Sequence, residues 1–227
     1  MYQLYIGNKN YSSWSLRPWV LMTQLGVGFQ ETVVPLVAGS TWDALRKFSP
    51  SGKVPCLIDD GTTVWDSLAI SEYLAERHPG IWPKEAAARA WARCAAAEMH
   101  SGFQSLRGQC PMNCGLRVRL RPGHEGLQSD VRRLDELWAE GLSRFGGPYL
   151  AGDRFTAADA FFAPVAFRIQ TYGIPVAARS LDYVQRLLGL AAMQAWYTAA
   201  LLESWRQPVY DAEAAAAGEL LEDLRKS

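Results

Sequence analysis

Three short polar segments contain the residues whose types and spacing favour chemistry. Residues 11–17 read Tyr-Ser-Ser-Trp-Ser-Leu-Arg and lie between a predicted strand and a predicted helix. Residues 53–55 read Lys-Val-Pro at the entrance to a strand, and residues 66–67 read Asp-Ser at the beginning of a helix. Each segment also has an ordinary structural explanation, because serine and aspartate often cap helices and proline often marks an edge strand.

The segment 11–17 has the features of a site that activates a thiol. Ligands of open α/β sheets bind beyond the carboxyl ends of strands, where a following helix offers free N–H groups and the positive end of its dipole. A hydroxyl from Ser12 or Ser13 could donate a hydrogen bond to a bound thiolate and lower the thiol pKa from its reference value of about 8.5. The alternative is that these serines only cap the helix.

The other two segments could hold the polar ends and the backbone of a ligand. A cis bond before Pro55 would leave the backbone N–H and C=O of Val54 facing outward, free to pair with a short peptide; a trans edge-strand proline is the commoner case. Ser67 and its adjacent N–H groups can hold a carboxylate, and Asp66 can accept from an ammonium group. Helix capping is again the alternative for both residues.

Alternating short strands and helices organise the first 80 residues. Strands are predicted at 2–7, 29–36, 54–58 and 62–65, with helices at 15–25, 42–48 and 68–78 between and after them. Strand–helix alternation implies parallel pairing through right-handed crossovers, and the Asp-Asp-Gly turn at 59–61 adds an antiparallel edge. We therefore predict a thioredoxin-like α/β domain over residues 1–80, with a mixed four-stranded sheet.

The chain becomes helical after a linker at residues 81–86, so an all-helical domain is predicted over 87–227. Thr156 and Asp159 have the spacing of a capping box, which favours a structural role for this acid. The tail at 211–227 is predicted either to dock loosely as a helix or to fray. The remaining predicted helices are 89–107, 126–145, 156–171, 181–189 and 191–204.

Composition narrows the class of protein. Lys+Arg and Asp+Glu each number 23, so nothing favours general binding to nucleic acid or to an anionic membrane. The sequence has neither a signal-peptide pattern nor an apolar run of the roughly 20 residues that a membrane helix needs, which favours a cytoplasmic protein. Its four cysteines form no Cys-x-x-Cys pair, so we expect free thiols and no metal site.

The three segments, in order with Phe-Thr-Ala-Ala-Asp at 155–159, resemble the glutathione transferase superfamily over nearly the whole chain. The Ser-Ser-x-Ser-x-Arg string at 12–17 is most similar to the zeta class and related bacterial enzymes. This resemblance implies a cytosolic homodimer that uses glutathione as co-substrate and no metal. Its activity would be the conjugation or reduction of a small electrophile in detoxification.

The resemblance also implies roles for particular residues. Ser13 or Ser12 would face the glutathione sulfur: delta- and theta-like enzymes point to Ser13, whereas the zeta alignment points to Ser12. Val54 would pair with the cysteinyl backbone, and Lys53 would reach the glycyl carboxylate. Asp66 and Ser67 would hold the γ-glutamyl end. The implied glutathione site is Lys53, Val54, Pro55, Asp66 and Ser67.

A second-substrate site is implied between the serine loop and the first long helix of the helical domain. On this helix the polar candidates share a side, which indicates either a basic pocket for an anionic electrophile or a solvated helix face. His100 is either a proton shuttle or an ordinary surface or hydrogen-bonded histidine. The candidates are Trp14, Arg93, His100, Gln104 and Arg107.

Two departures from the family pattern bear on the alternatives. Residues 12–15 contain no cysteine, which argues against disulfide exchange through an enzyme thiol, and Trp14 stands where zeta enzymes usually have cysteine. The arginine that zeta isomerases use for an acidic substrate would fall near Thr171, whereas the nearest arginine is Arg168. This counts against maleylacetoacetate isomerisation, which stays as an alternative together with a non-catalytic binding protein of the same fold.

Overall fold

A computed structural model describes residues 1–35, 41–122 and 125–225. Its first part contains a four-stranded mixed sheet in the order β2-β1-β3-β4, in which β1 pairs parallel with β2 and antiparallel with β3. The predicted thioredoxin-like fold is therefore confirmed. Its elements are β1 (Tyr2–Ile6), α1 (Ser13–Gln24), β2 (Phe29–Val33), α2 (Thr41–Arg46), β3 (Cys56–Asp59), β4 (Thr62–Trp65) and α3 (Ser67–Ala75).

Helix α1 begins beyond the carboxyl end of β1, because a short loop connects the two elements. Leu4 and Ile6 alternate inward along β1 and are fully buried, as are Leu16 and Val20 on α1. The helix ends where Gly26 takes a φ of 69°, a backbone region that favours glycine. The polar segment between β1 and α1 is thus fixed at both of its ends.

The second part of the chain is mainly helical, and α7 is its central helix. Every residue of α7 except Gln170 is buried, and the helix packs against α1 of the first domain. The elements of this part are α4 (Ala86–Ser101), α5 (Gln104–Gln109), β5 (Leu116–Leu120), α6 (Glu125–Arg144), α7 (Ala157–Tyr172), α8 (Ala178–Leu188), α9 (Ala191–Leu202), α10 (Pro208–Ala216) and β6 (Gly218–Asp223).

The capping box at the beginning of α7 is confirmed. Asp159 is fully buried, and its carboxylate accepts hydrogen bonds from the Thr156 N–H at 2.9 Å, the Leu150 N–H at 3.0 Å and the Tyr183 hydroxyl at 2.8 Å. Burial raises the pKa of Asp159. The acid connects α7 to α8 and to the segment before α7, which is a structural role.

The predicted helix at 89–107 is wrong in its length, because the chain leaves the helix at Gly102. A Cβ atom there would lie 2.8 Å from the Glu98 carbonyl oxygen, so glycine permits the extended backbone at this position. Phe103 then adopts a left-handed φ of 54° and buries its side chain, and α5 begins at Gln104. The apolar periodicity continues across the break because Leu106 also faces the core.

The tail contains one element that was predicted as an alternative and one that was not. Residues 211–216 belong to helix α10, whereas the strand that follows was not predicted, and residues 226–227 lie outside the described residues. After α10, strand β6 pairs antiparallel with β5, so the helical domain also contains a two-stranded sheet. The missed signal is Leu-Arg-Val-Arg-Leu in β5, where Leu116 and Val118 are buried and alternate with arginines. Gly218 admits the close approach of the strands, since a Cβ atom there would lie 2.0 Å from the Arg119 carbonyl oxygen.

Candidate active site

The two candidate serines occupy different environments at the beginning of α1. Ser12 is buried, and its hydroxyl donates to the Ser15 hydroxyl at 2.7 Å, which also accepts from the Gly7 N–H at 3.1 Å. Ser13, the first residue of α1, is half-buried and lines a cavity. No residue of the described ranges accepts a hydrogen bond from the Ser13 hydroxyl. Ser12 thus stabilises the loop, and Ser13 has a donor to offer a ligand.

The helical domain holds the segment before these serines in place. The Glu203 carboxylate, just beyond α9, accepts hydrogen bonds from the Lys9 N–H at 2.6 Å and the Asn10 N–H at 3.2 Å. The Trp196 indole donates to the Lys9 carbonyl at 2.9 Å, and the Asn10 amide donates to Asn113 at 3.0 Å. The conformation of the serine loop therefore depends on both domains.

A first cavity, of about 430 Å³, contains all five residues of the predicted glutathione site. The Val54–Pro55 bond is cis, the less common of the two alternatives that the sequence left open. The cavity is open to solvent at Lys53 and closed behind by Ser67, which is fully buried. Its lining residues are Trp14, Ser51, Lys53, Val54, Pro55, Trp65, Asp66 and Ser67.

Asp66 has an unusual backbone conformation and links the two domains. Its φ of 76° lies in a region that residues other than glycine seldom adopt, and such outliers concentrate at ligand sites. One carboxylate oxygen caps α3 by accepting from the Leu68 N–H at 2.8 Å, and the other lies 3.5 Å from the His100 Nε2 atom. The fold brings the Asp66 carboxylate to His100 from the first domain, a contact that the sequence pattern did not predict.

His100 packs against Trp14 but does not line a cavity together with the other predicted second-substrate residues. Its ring meets the Trp14 ring edge-on, with centroids 5.2 Å apart. Burial is the main cause that lowers the pKa of His100; Arg17 and Arg107 lower it further, and Asp66 opposes them. A reduced pKa keeps this imidazole neutral near pH 7, so His100 is a neutral neighbour of Asp66 more than an ionic partner.

The second cavity, of about 350 Å³, adjoins the first at Trp14, which lines both. Three of the five predicted second-substrate residues line it: Trp14, Gln104 and Arg107. The sequence missed several others because they come from distant segments. Its full lining is Tyr11, Ser13, Trp14, Gln104, Arg107, Gly108, Pro111, Met112, Arg168, Tyr210 and Glu213.

Arg93 lies elsewhere, so its predicted place beside the second substrate is corrected. It occupies the same side of α4 as His100 but two turns earlier, next to α3. There its guanidinium forms two hydrogen bonds of 3.0 Å with the Glu72 carboxylate. Arg93 and His100 share a side of α4, whereas Gln104 and Arg107 belong to α5, so one helix side does not hold all four. The Glu72 carboxylate, which the helix pattern does not reveal, pairs with the charge of Arg93.

The second cavity has a basic wall. The Arg107 guanidinium stacks on the Trp14 ring at 4.6 Å from the centroid. Arg168 is buried, donates to the Cys110 carbonyl at 2.9 Å, and has its pKa lowered to about 10 by burial and by Arg107. Among the described residues, Glu213 is the one acid in the lining, and it is exposed. Arg168 was named from the sequence only as the arginine nearest to Thr171 and not as a residue of this cavity, although a lone arginine in the apolar helix 157–172 was a signal for such a role.

The cysteines are free thiols, as predicted. Burial raises the pKa of Cys56 to about 11 and that of Cys110 to about 12, and it also raises the pKa of Cys114. These thiols are therefore protonated at neutral pH and poor nucleophiles. In the described ranges, no cluster of His, Cys, Asp or Glu could hold a metal ion, and no helix is long and apolar enough to cross a membrane.

Comparison with known families identifies the class of protein. The glutathione S-transferase N-terminal domain matches residues 11–77, and the glutathione S-transferase C-terminal domain matches residues 117–199. Together they cover about two thirds of the chain. The chain belongs to the glutathione transferase superfamily.

Individual relatives give a more detailed context. A probable maleylacetoacetate isomerase from Caenorhabditis elegans is 27% identical over 75% of this chain and 80% of its own length. The maleylacetoacetate isomerase of Rattus norvegicus is 25% identical over 84% and 89%, respectively. The crystal structure of a Burkholderia glutathione transferase homologue with bound glutathione superposes with a TM-score of 0.64 at 25% identity, covering 88% of this chain and 97% of that one.

Proposed function

We propose that this protein is a glutathione-dependent enzyme that joins glutathione in the first cavity to a small anionic electrophile in the second. One observation supports the proposal above all: the two cavities share Trp14, and Ser13 lines the second beside it at the beginning of α1. A thiol lying between the cavities would meet a hydroxyl donor and a helix N-terminus, both of which favour thiolate.

The first cavity offers a complementary partner for each end of glutathione. Asp66 would accept from the γ-glutamyl ammonium, Ser67 would donate to the neighbouring carboxylate, and the Val54 backbone would pair with the cysteinyl unit. Lys53, at the exposed end, would meet the glycyl carboxylate. These roles follow from the residue types and from their common cavity.

We assign the thiolate contact to Ser13. The Ser12 donor is already used in its bond to Ser15, and Ser12 is more deeply buried. In the reaction the thiolate sulfur would form a bond to an electrophilic carbon, and the electron pair displaced would leave with a departing anion or take a proton from water. Holding both reactants side by side lowers the entropic part of the barrier.

The charge of the second cavity selects the electrophile. Arg107 and Arg168 together outnumber Glu213, and Arg168 is too buried to be screened by solvent. A substrate with a carboxylate near its reactive carbon would therefore bind better than a neutral substrate of the same size.

Glutathione-dependent isomerisation is the second candidate. In that reaction the thiolate adds to a double bond, the adduct rotates, and the thiol leaves again, so glutathione is not consumed. Two observations favour it: Arg168 lines the second cavity although residue 171 is threonine, and several relatives are named maleylacetoacetate isomerase. The Thr171 hydroxyl itself donates to the Asn113 carbonyl at 2.6 Å, a structural contact.

Isothermal titration with reduced glutathione tests the proposal. We expect one site per chain in a homodimer, followed by turnover of an acidic electrophile. Loss of free thiol during turnover would indicate conjugation, whereas conversion of a cis-enone diacid at constant thiol would indicate isomerisation. Absence of binding heat at millimolar glutathione, repeated at a second temperature, would favour the non-catalytic scaffold instead.

A further inference from the structure

Arg17 is a buried cation that forms no ion pair with any carboxylate of the described residues. Its side chain lies on α1, the residue is 2% exposed, and its guanidinium stacks on Trp14 at 4.2 Å and on Phe161 at 4.8 Å from the ring centroids. Its one side-chain hydrogen bond runs from Nη1 to the Ser67 hydroxyl oxygen at 3.4 Å, and its Nε is buried without a partner. Within the described residues, no carboxylate lies within 4 Å of the guanidinium.

This environment is energetically unfavourable for the guanidinium of Arg17. A buried charge without a close partner is costly. Burial, Arg168 and Arg107 lower the pKa of Arg17 to about 9, and Asp66, which forms no ion pair with it, opposes them. Arg225, in contrast, is almost as buried at its side chain and forms ion pairs of 2.6 Å with Asp211 and with Asp223. Within the described residues, the charge of Arg17 is therefore not neutralised by a close carboxylate, whereas that of Arg225 is.

The direction of the hydrogen bond identifies where an anion would bind. Because the Ser67 oxygen accepts from Arg17, the Ser67 proton is free to donate to another group. Ser67 lines the first cavity, whereas Arg17 itself lines neither cavity. A hydroxyl that accepts from a guanidinium is polarised into a stronger donor, so Ser67 can transmit the positive charge of Arg17 to the cavity.

We propose that Arg17 is a positioning residue that supplies, through Ser67, the positive charge for the α-carboxylate of the γ-glutamyl unit. This inference rests on the proposed binding of glutathione in the first cavity. Binding would place a carboxylate against a hydroxyl already aligned by Arg17, so part of the affinity for glutathione would come from a residue that never touches it.

The test compares two ligands on three proteins. Isothermal titration would give the Kd of reduced glutathione and of 4-aminobutyryl-Cys-Gly, which lacks only the α-carboxylate. We expect Arg17→Met and Ser67→Ala each to weaken glutathione on the order of tenfold, the effect of losing one charge-assisted hydrogen bond. Both variants should bind the decarboxylated ligand within about twofold of the wild type, and the double variant should lose little more than either single variant.

Other outcomes distinguish this inference from the function on which it rests. If the wild type binds glutathione and Arg17→Met weakens both ligands equally, Arg17 is structural and the inference is wrong. If the wild type binds neither ligand, the proposed function itself fails. Arg17→Lys keeps the charge and should lose less affinity for glutathione than Arg17→Met. If Arg17→Met folds poorly, the comparison of the two ligands is made on Ser67→Ala and Arg17→Lys. Arg117→Met, at a half-buried arginine bonded to Tyr197, is the matched control and should change neither Kd.

Discussion

The two cavities that share Trp14 are built in different ways. The first draws its lining from residues 14–67 and depends on local devices: a cis proline, a helix cap and an unusual backbone at Asp66. The second collects its lining from positions as far apart as 11 and 213, and its shape depends on how α5, α7 and α10 pack. This difference would suit a fixed co-substrate, glutathione, in the first cavity and an electrophile that varies between enzymes in the second.

The two cavities also differ in the charges of their lining residues. The lining of the first cavity includes both an acid, Asp66, and a base, Lys53, which matches a ligand with charged ends of both signs. In the second, Arg107 and Arg168 occur together, which matches a ligand with negative charge concentrated in one region. Substitutions in one cavity should therefore change the binding of one reactant and leave the other unaffected.

Ser13→Ala should have the largest effect, because Ser13 lies where the cavities meet. We expect turnover to fall roughly 10- to 100-fold, the loss of one hydrogen bond to a charged group, with the Kd of glutathione within about twofold. Steady-state kinetics and titration would measure both quantities. Ser12→Ala is the matched control and should lower turnover less; full turnover in both variants would contradict the assignment.

Asp66→Asn should affect only the first cavity. Removing the carboxylate charge should weaken glutathione about tenfold, because the γ-glutamyl ammonium loses its ionic partner. The ligand glutaryl-Cys-Gly, which lacks the ammonium group, should bind the variant as well as it binds the wild type. An equal loss for both ligands would mean that Asp66 acts only as the cap of α3.

Arg107→Met should affect only the second cavity. We expect the KM of a carboxylate-containing electrophile to rise about fivefold, a modest effect because Arg107 is partly exposed to solvent. The neutral electrophile 1-chloro-2,4-dinitrobenzene serves as the comparison and should show little change. A similar rise for both electrophiles would indicate that Arg107 shapes the cavity through its stacking on Trp14 and does not select charge.

His100 should give the smallest effect, on stability at acid pH. Its pKa in the folded protein is below the unfolded value of about 6.5, so the unfolded chain takes up a proton first as the pH falls. Stability is therefore retained above pH 6.5 and lost as the pH falls through the folded pKa. Urea unfolding from pH 7 to 5 should show a steeper loss for the wild type than for His100→Gln; parallel curves would contradict the assigned environment.

Local motifs explain why the first cavity could be predicted. Each of its predicted residues belongs to a short segment in which neighbouring residues specify a turn, a helix cap or a proline. The structure brings Lys53, Val54, Pro55, Asp66 and Ser67 into one cavity. The same holds for the capping box at Thr156 and Asp159. Such features depend on neighbours in the chain, which a sequence displays directly.

The second cavity depends on contacts that a single sequence does not display. The helix side containing Arg93 and His100 was identified, but Glu72 and Asp66, which decide what each side chain does, belong to the other domain. Likewise, β6 is defined by pairing with β5 about a hundred positions earlier, and Tyr210 and Glu213 reach the cavity from the tail. Tertiary packing, more than local propensity, determines these placements.

The most direct test of the account is the pKa of the glutathione thiol when it is bound. Ultraviolet absorbance of the thiolate, followed against pH, would give this value for the wild type, Ser12→Ala and Ser13→Ala. We predict that the bound thiol ionises well below its free value in the wild type and in Ser12→Ala, and that Ser13→Ala removes most of this shift. A thiol that titrates in the wild-type complex as it does in free solution would contradict the account.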